Sequence, residues 1–198
     1  MTQILPGSLY LSGITAASST ETLQAYGITH VLSVMTSSEA PKVPEGIKQH
    51  IIDVSDTTTS NLLPHLPDAI AFIKLALATE NGRVLVHCVE GVSRSPSIVL
   101  AYLMSERGMS YKQALRVVKL RRGVVCPNLG FERQLKEWEK MCEKKRQERP
   151  KPWENILKKK RICGEESTAH GDGKVARHGP MSWVRWAFGG VTGDGDSA

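Results

Sequence analysis

Apolar residues along the chain recur with two periods. Short apolar runs at residues 4–11, 30–34, 50–54 and 84–87, bounded by Pro, Gly, Asn or polar clusters, predict strands. The first, Ile4-Leu5-Pro6-Gly7-Ser8-Leu9-Tyr10-Leu11, reads as one strand entered through a Pro-Gly turn. Between the strands the spacing lengthens. Residues 18–26 read as a short helix with a Ser/Thr cap, stopped by Gly27. Leu66, Ile70, Ile73 and Leu77 fall on one helical face that ends at Asn81-Gly82. Residues 98–104 are apolar on every side, which places that helix in the core. Tyr111, Ala114, Leu115 and Val118, and then Phe131, Leu135 and Trp138, mark two amphipathic helices after it. Strands alternating with helices predict an α/β domain, a mainly parallel central sheet with helices on both faces. Two connections stay polar: residues 35–46, broken by Pro41, Pro44 and Gly46, and residues 55–61, which hold Asp56. His30, at a strand end, reads as a core residue.

Length alters this picture little, since 198 residues suit one domain with some surplus. Charge alters it more. The net charge is +6, and residues 143–161 alone carry an excess of the same size, so nucleic-acid binding is not expected of the core. The four cysteines, Cys88, Cys126, Cys142 and Cys163, form no Cys-x-x-Cys pair and accompany no histidine cluster at ligand spacing. Free thiols in a reducing compartment are expected, and no metal site. No apolar run reaches membrane-spanning length, Met1-Thr2-Gln3 lacks a secretory start, and Thr2 stands where N-myristoylation needs glycine. A protein without a transmembrane segment, cytoplasmic, nuclear or both, is the expectation.

Candidate chemistry concentrates in residues 84–97, VLVHCVEGVSRSPS. An apolar strand ends in His87-Cys88, a short loop follows, and Arg94-Ser95-Pro96 opens the core helix. Loop amides and a helix N-terminus, pointing inward without intrahelical partners, bind an anion of phosphate size. The amides of Val89, Glu90, Gly91, Val92 and Ser93 would line such a cradle. Arg94 adds a planar fork that takes two phosphate oxygens. Cys88 lies beneath the same positive field, which favours its thiolate and places it for in-line attack on phosphorus. Gly91 supplies the positive φ that a loop of this kind needs. Loss of an alcohol oxygen from phosphorus calls for a carboxylic acid, and Asp53 and Asp56 are both candidates.

The run His87 to Ser95 resembles the H-C-x5-R-S signature of cysteine-dependent protein phosphatases. With Ser95-Pro96-Ser97 and Ala101-Tyr102-Leu103-Met104 after it, the resemblance is to small dual-specificity members. Leu9-Tyr10-Leu11 after Pro6-Gly7, and Pro127-Asn128 before Gly130-Phe131, resemble further family landmarks. The resemblance covers residues 4–142 and implies the three-layer cysteine-phosphatase fold over residues 1–145. It implies hydrolysis of phosphotyrosine and phosphoserine or phosphothreonine on proteins through a phosphocysteine, with no cofactor. By the same resemblance Asp56 is the general acid, Ser95 assists thiolate departure, and His87 and Asn128 hold the loop. The short 35–46 loop implies a shallow cleft, and Glu90 discourages densely anionic substrates. Arg121-Arg122 read as a solvated pair complementing the end of a helix. Whether Cys126 approaches Cys88 is left open. The alternatives are a lipid or RNA phosphatase, or a non-enzymatic module that grips phosphoproteins. A low-molecular-weight phosphatase or arsenate reductase would open its chain with the signature loop, and here it follows 87 residues.

Residues 146–198 are basic and then glycine-rich, with no period of helix or strand, and disorder is expected there. Lys144-Lys145-Arg146 and Lys158-Lys159-Lys160-Arg161 resemble a two-part import signal, so an import receptor or another anionic partner is expected at this tail. Residues 183–188 interrupt it with aromatic side chains that would dock on the domain or a partner.

Overall fold

The computed structural model describes residues 1–148. Around Pro6-Gly7 the chain makes two strands where the apolar pattern predicted one. β1 (Thr2–Leu5) and β2 (Leu9–Ser12) pair antiparallel across the turn. Gly7, at φ 67°, reverses the chain, and apolar residues on both sides of that reversal hid it from the periodicity. A single helical turn, α1 (Ile14–Ala17), follows, and then α2 (Thr20–Ala25), whose cap is Ser19 accepting from the Thr22 amide at 3.1 Å.

β3 (His30–Val34) pairs in parallel with β4 (Lys48–Ile52). The pattern had put this strand at residues 50–54. It begins earlier because Lys48 and Gln49 pair with His30 and Val31 at the open edge of the sheet, where polar side chains reach water. Leu63–His65 forms a 3-10 turn into α3 (Leu66–Ala78). β5 (Val84–His87) lies at the centre of the order β1-β2-β5-β3-β4, fully buried along its length. α4 (Arg94–Arg107), α5 (Tyr111–Arg121) and α6 (Leu129–Glu148) complete the described chain. α6 runs unbroken past residue 145. The remaining tail, with most of its basic residues and the aromatic run, lies outside the described residues.

Alternation along the strands sorts the core into two layers. Leu9, Leu11, Leu32, Val34, Val84 and Val86 meet helices α3 to α6 on one face. Tyr10, Val31 and Leu85 meet Ala17 and Leu23 of α1 and α2 on the other. His30 is buried, with Thr29 Oγ1 2.8 Å from its Nδ1. α4 is buried from Arg94 through Met104. Burying each of its large apolar side chains contributes about 1.5–3 kcal/mol, so the direction of its N-terminus is set by packing. Ser12, His87 and Ser33 stand in register at the carboxyl ends of β2, β5 and β3. The loops that leave these strands therefore converge on one edge. Among the described residues no helix is long and apolar enough to cross a membrane.

Candidate active site

A loop that turns its amides inward must turn its carbonyls outward, and each outward carbonyl then needs a donor. Every carbonyl from Cys88 to Ser93 has one. His87 Nδ1 lies 3.3 Å from the Cys88 carbonyl oxygen. The amides of Ile14 and Cys126 donate to Val89 O and Val92 O, each at 2.8 Å. Arg122 donates from Nη2 to Glu90 O and from Nε to Gly91 O, both at 2.8 Å. Ser97 donates to Ser93 O from its amide at 3.1 Å and its hydroxyl at 2.8 Å. Gly91 is held in φ 70°, and a Cβ there would stand 2.5 Å from Ser12 O. Conformation and space both demand glycine.

Inside the loop the donors face Cys88, which is buried. Its Sγ accepts from the Gly91 amide and from Ser95 Oγ, each at 3.2 Å. The amides of Val89, Glu90, Val92, Ser93 and Arg94 donate to no backbone carbonyl among the described residues. Arg94 is buried, and its Nη1 donates to Val54 O at 3.4 Å. Its Nε stands 3.4 Å from Asp56 Oδ2 yet makes no hydrogen bond. A buried guanidinium nitrogen without a partner is costly, and such groups mark places built for an anion.

Asp56 and Asp53 part company here. Asp53 Oδ2 accepts from Ser37 Oγ at 2.7 Å and anchors the 35–47 connection, away from the loop. Asp56 faces the cradle, with Oδ1 accepting from Ser93 Oγ and from Asn128 Nδ2, both at 2.8 Å. α6 fastens this segment. Gln134 Oε1 accepts from the amides of Leu62 and Leu63 at 2.6 and 2.9 Å, and its Nε2 donates to Ser60 O at 2.8 Å. A Cβ on Gly130 would collide with Thr58 O at 2.1 Å, so the acid-bearing segment lies directly on the start of α6.

His87 is buried beneath the loop, with Nε2 2.7 Å from Ser33 Oγ. Gln49 Nε2 donates to that same hydroxyl at 3.0 Å and to Pro41 O at 2.8 Å. The Ser33 proton is thereby directed to Nε2, which leaves Nδ1 protonated toward the Cys88 carbonyl. The ring is neutral, and burial pushes its pKa down to about 4 against the opposing pull of that carbonyl.

Three of these roles were not legible as such. Arg122, read as half of a solvated pair, is instead the clamp on two loop carbonyls. It is the C-cap of α5, where the backbone has already left the helix at φ −141° and ψ 91°, so its side chain points back to the loop. Gln49 and Ile14 act through a hydroxyl and a backbone amide, and nothing in their residue type announces it. Cys88, Cys126 and Cys142 are free thiols. Among the described residues no cluster of three or more His, Cys, Asp or Glu side chains offers a metal site.

The profile described as "Dual specificity phosphatase, catalytic domain" matches residues 9–141. The chain belongs to the dual specificity phosphatases. It is 42% identical over 137 residues to dual specificity protein phosphatase 1 of Arabidopsis thaliana, covering 69% of this chain and 68% of that protein. To dual specificity protein phosphatase 22 of Mus musculus it is 41% identical over 140 residues, covering 71% and 74%. Among solved structures, the human tyrosine phosphatase-like serine/threonine/tyrosine-interacting protein superposes with a TM-score of 0.67 at 35% identity, covering 71% of this chain and 96% of that one. Human DUSP28 does so with a TM-score of 0.67 at 33% identity, covering 72% and 94%. This dual specificity phosphatase is a hydrolase of tyrosine, serine and threonine phosphomonoesters on proteins, and the family's chemistry runs through a phosphocysteine.

Two predictions come from the loop's supports. Arg122→Lys keeps the charge but not the fork, and forfeits on the order of 1.5–3 kcal/mol of loop support. Inhibition by orthovanadate should weaken about tenfold or more, and an unchanged inhibition constant would remove Arg122 from the cradle. His87 is neutral when folded and protonates near pH 6.5 when unfolded. Its contribution is therefore full above about pH 6.5 and is lost as pH falls toward 4, on the order of 3 kcal/mol in all. Denaturant titrations of the wild type and of His87→Asn should diverge in slope within that window.

Proposed function

We propose that Cys88 is the nucleophile, Arg94 and the amides of residues 89–94 the phosphate cradle, and Asp56 the general acid of this phosphatase. One observation carries the assignment: the carbonyls of Cys88 through Ser93 all have donors, while the Gly91 amide meets Cys88 Sγ and the other amides of residues 89–94 and Arg94 Nε have no protein partner. In the first step the Cys88 thiolate attacks phosphorus. Arg94 and the amides hold the equatorial oxygens, and Asp56 protonates the departing oxygen. In the second step water attacks the phosphocysteine, Asp56 takes its proton, and the Ser95 hydroxyl stabilises the returning thiolate. Glu90 is exposed beside the loop, and Arg122 spends its fork on carbonyls, so a second phosphate finds no partner in either. Singly phosphorylated proteins are thereby favoured over polyphosphorylated lipids.

Cys88→Ser should abolish turnover while retaining phosphopeptide binding. Asp56→Ala should lose about 10²–10⁴-fold with phosphoserine peptides and far less with an aryl phosphate whose leaving group needs no proton. Hydrolysis by Cys88→Ser near the wild-type rate, or equal losses on both substrates for Asp56→Ala, would overturn the assignment.

A further inference from the structure

Asp56 has two carboxyl oxygens, and its surroundings distinguish them. Asn128 Oδ1 accepts from the Phe131 amide at 2.9 Å, which fixes the amide orientation and leaves Nδ2 as the group that meets Asp56. Nδ2 can only donate, and it does so to Oδ1 at 2.8 Å. Ser93 reaches the same oxygen from the loop. Its Oγ already accepts from the Asn128 backbone amide at 3.1 Å, so its single proton is the one directed to Oδ1 at 2.8 Å. Two fixed donors thus occupy Oδ1. Oδ2 has no such donor and lies on the side of the Arg94 guanidinium, 3.4 Å from Nε.

The geometry points to Asn128 as a positioning residue that, with Ser93, keeps Oδ1 unprotonated and so places the transferable proton of Asp56 on Oδ2, the oxygen on the side of Arg94. This rests on Asp56 being the general acid. In the first step the S–P bond forms and the P–O bond breaks as the Oδ2 proton passes to the leaving oxygen. In the second, a water oxygen bonds to phosphorus, its proton returns to Oδ2, and the S–P electron pair goes back to sulfur. A carboxyl free to hold its proton on either oxygen would present it correctly only part of the time. Asn128 binds three pieces at once, namely the signature loop through Ser93, the acid segment through Asp56 and Thr57 O, and the first turn of α6 through Phe131.

Asn128→Asp keeps an acceptor for the Phe131 amide and replaces the amino group, which faces Asp56 and Thr57 O, with a second carboxylate oxygen. The two carboxylates would then share a proton at Oδ1, on the wrong side of the acid. Asn128→Ser also keeps a capping acceptor, withdraws the donor and adds no charge. The readout is the ratio of kcat for a phosphoserine peptide to kcat for an aryl phosphate with a good leaving group. We expect that ratio to fall about 10–100-fold in Asn128→Asp and several-fold in Asn128→Ser, beyond any loss that the two rates share. A purely structural role would depress both rates together. An unchanged ratio in both variants overturns the inference. Asp56→Asn, measured alongside, separates the two levels: if it leaves the ratio at the wild-type value, the assignment of the acid fails, and if it collapses the ratio while both Asn128 variants do not, only the proton placement fails.

Discussion

A concave array of amides cannot exist unless its carbonyls are satisfied elsewhere, and the signature loop of this phosphatase is built around that requirement. A buried carbonyl left without a donor costs about 1–3 kcal/mol, a penalty that bears on Cys88, Gly91 and Ser93, the buried residues of the loop. The donors are supplied by the β2–α1 turn, the end of α5, the segment before α6, the first turn of α4 and the ring of His87. What looks like a short motif is the inner surface of a structure that reaches across the domain. The groups without a protein partner are confined to the inside.

The same economy of donors shapes the surroundings of the sulfur and the acid. His87 is kept neutral by burial and is oriented by Ser33, which Gln49 orients in turn, so a line of polar side chains runs from Pro41 to the Cys88 carbonyl. Asp56 is oriented by Ser93 and Asn128 in the same manner. Hydroxyls serve as relays in both lines. Each receives a fixed N–H and passes its own proton onward, which removes the rotational freedom that would blur the position of a charge.

Much of this was legible before the fold was known. Apolar spacing reports burial, so the central strand and the all-apolar α4 followed directly, and Cys88 and Arg94 have side chains whose chemistry singles them out, whereas Asp56 was preferred to Asp53 through the family resemblance. The hairpin at Pro6-Gly7 was hidden because burial continues on both sides of the turn, and β4 was misplaced because pairing at an edge extends to polar Lys48 and Gln49. Arg122, Gln49 and Ile14 were beyond reach for a different reason. They act on backbone carbonyls or on a relay hydroxyl, and a sequence has no mark for which carbonyl a distant donor will meet.

The last of these donors in the chain, the Cys126 amide, lies 38 residues after Cys88, while Ile14 lies far before it. A chain emerging from the ribosome thus carries its whole signature motif well before every carbonyl of the loop has its donor. Until residue 126 has joined, the loop lacks a partner for Val92 O, and until Arg122 has joined it lacks partners for Glu90 O and Gly91 O. These contacts are long in sequence, so the shape of the loop depends on non-local parts of the fold. A chain cut before residue 122 would keep the whole signature motif and lack the donors for three of its carbonyls.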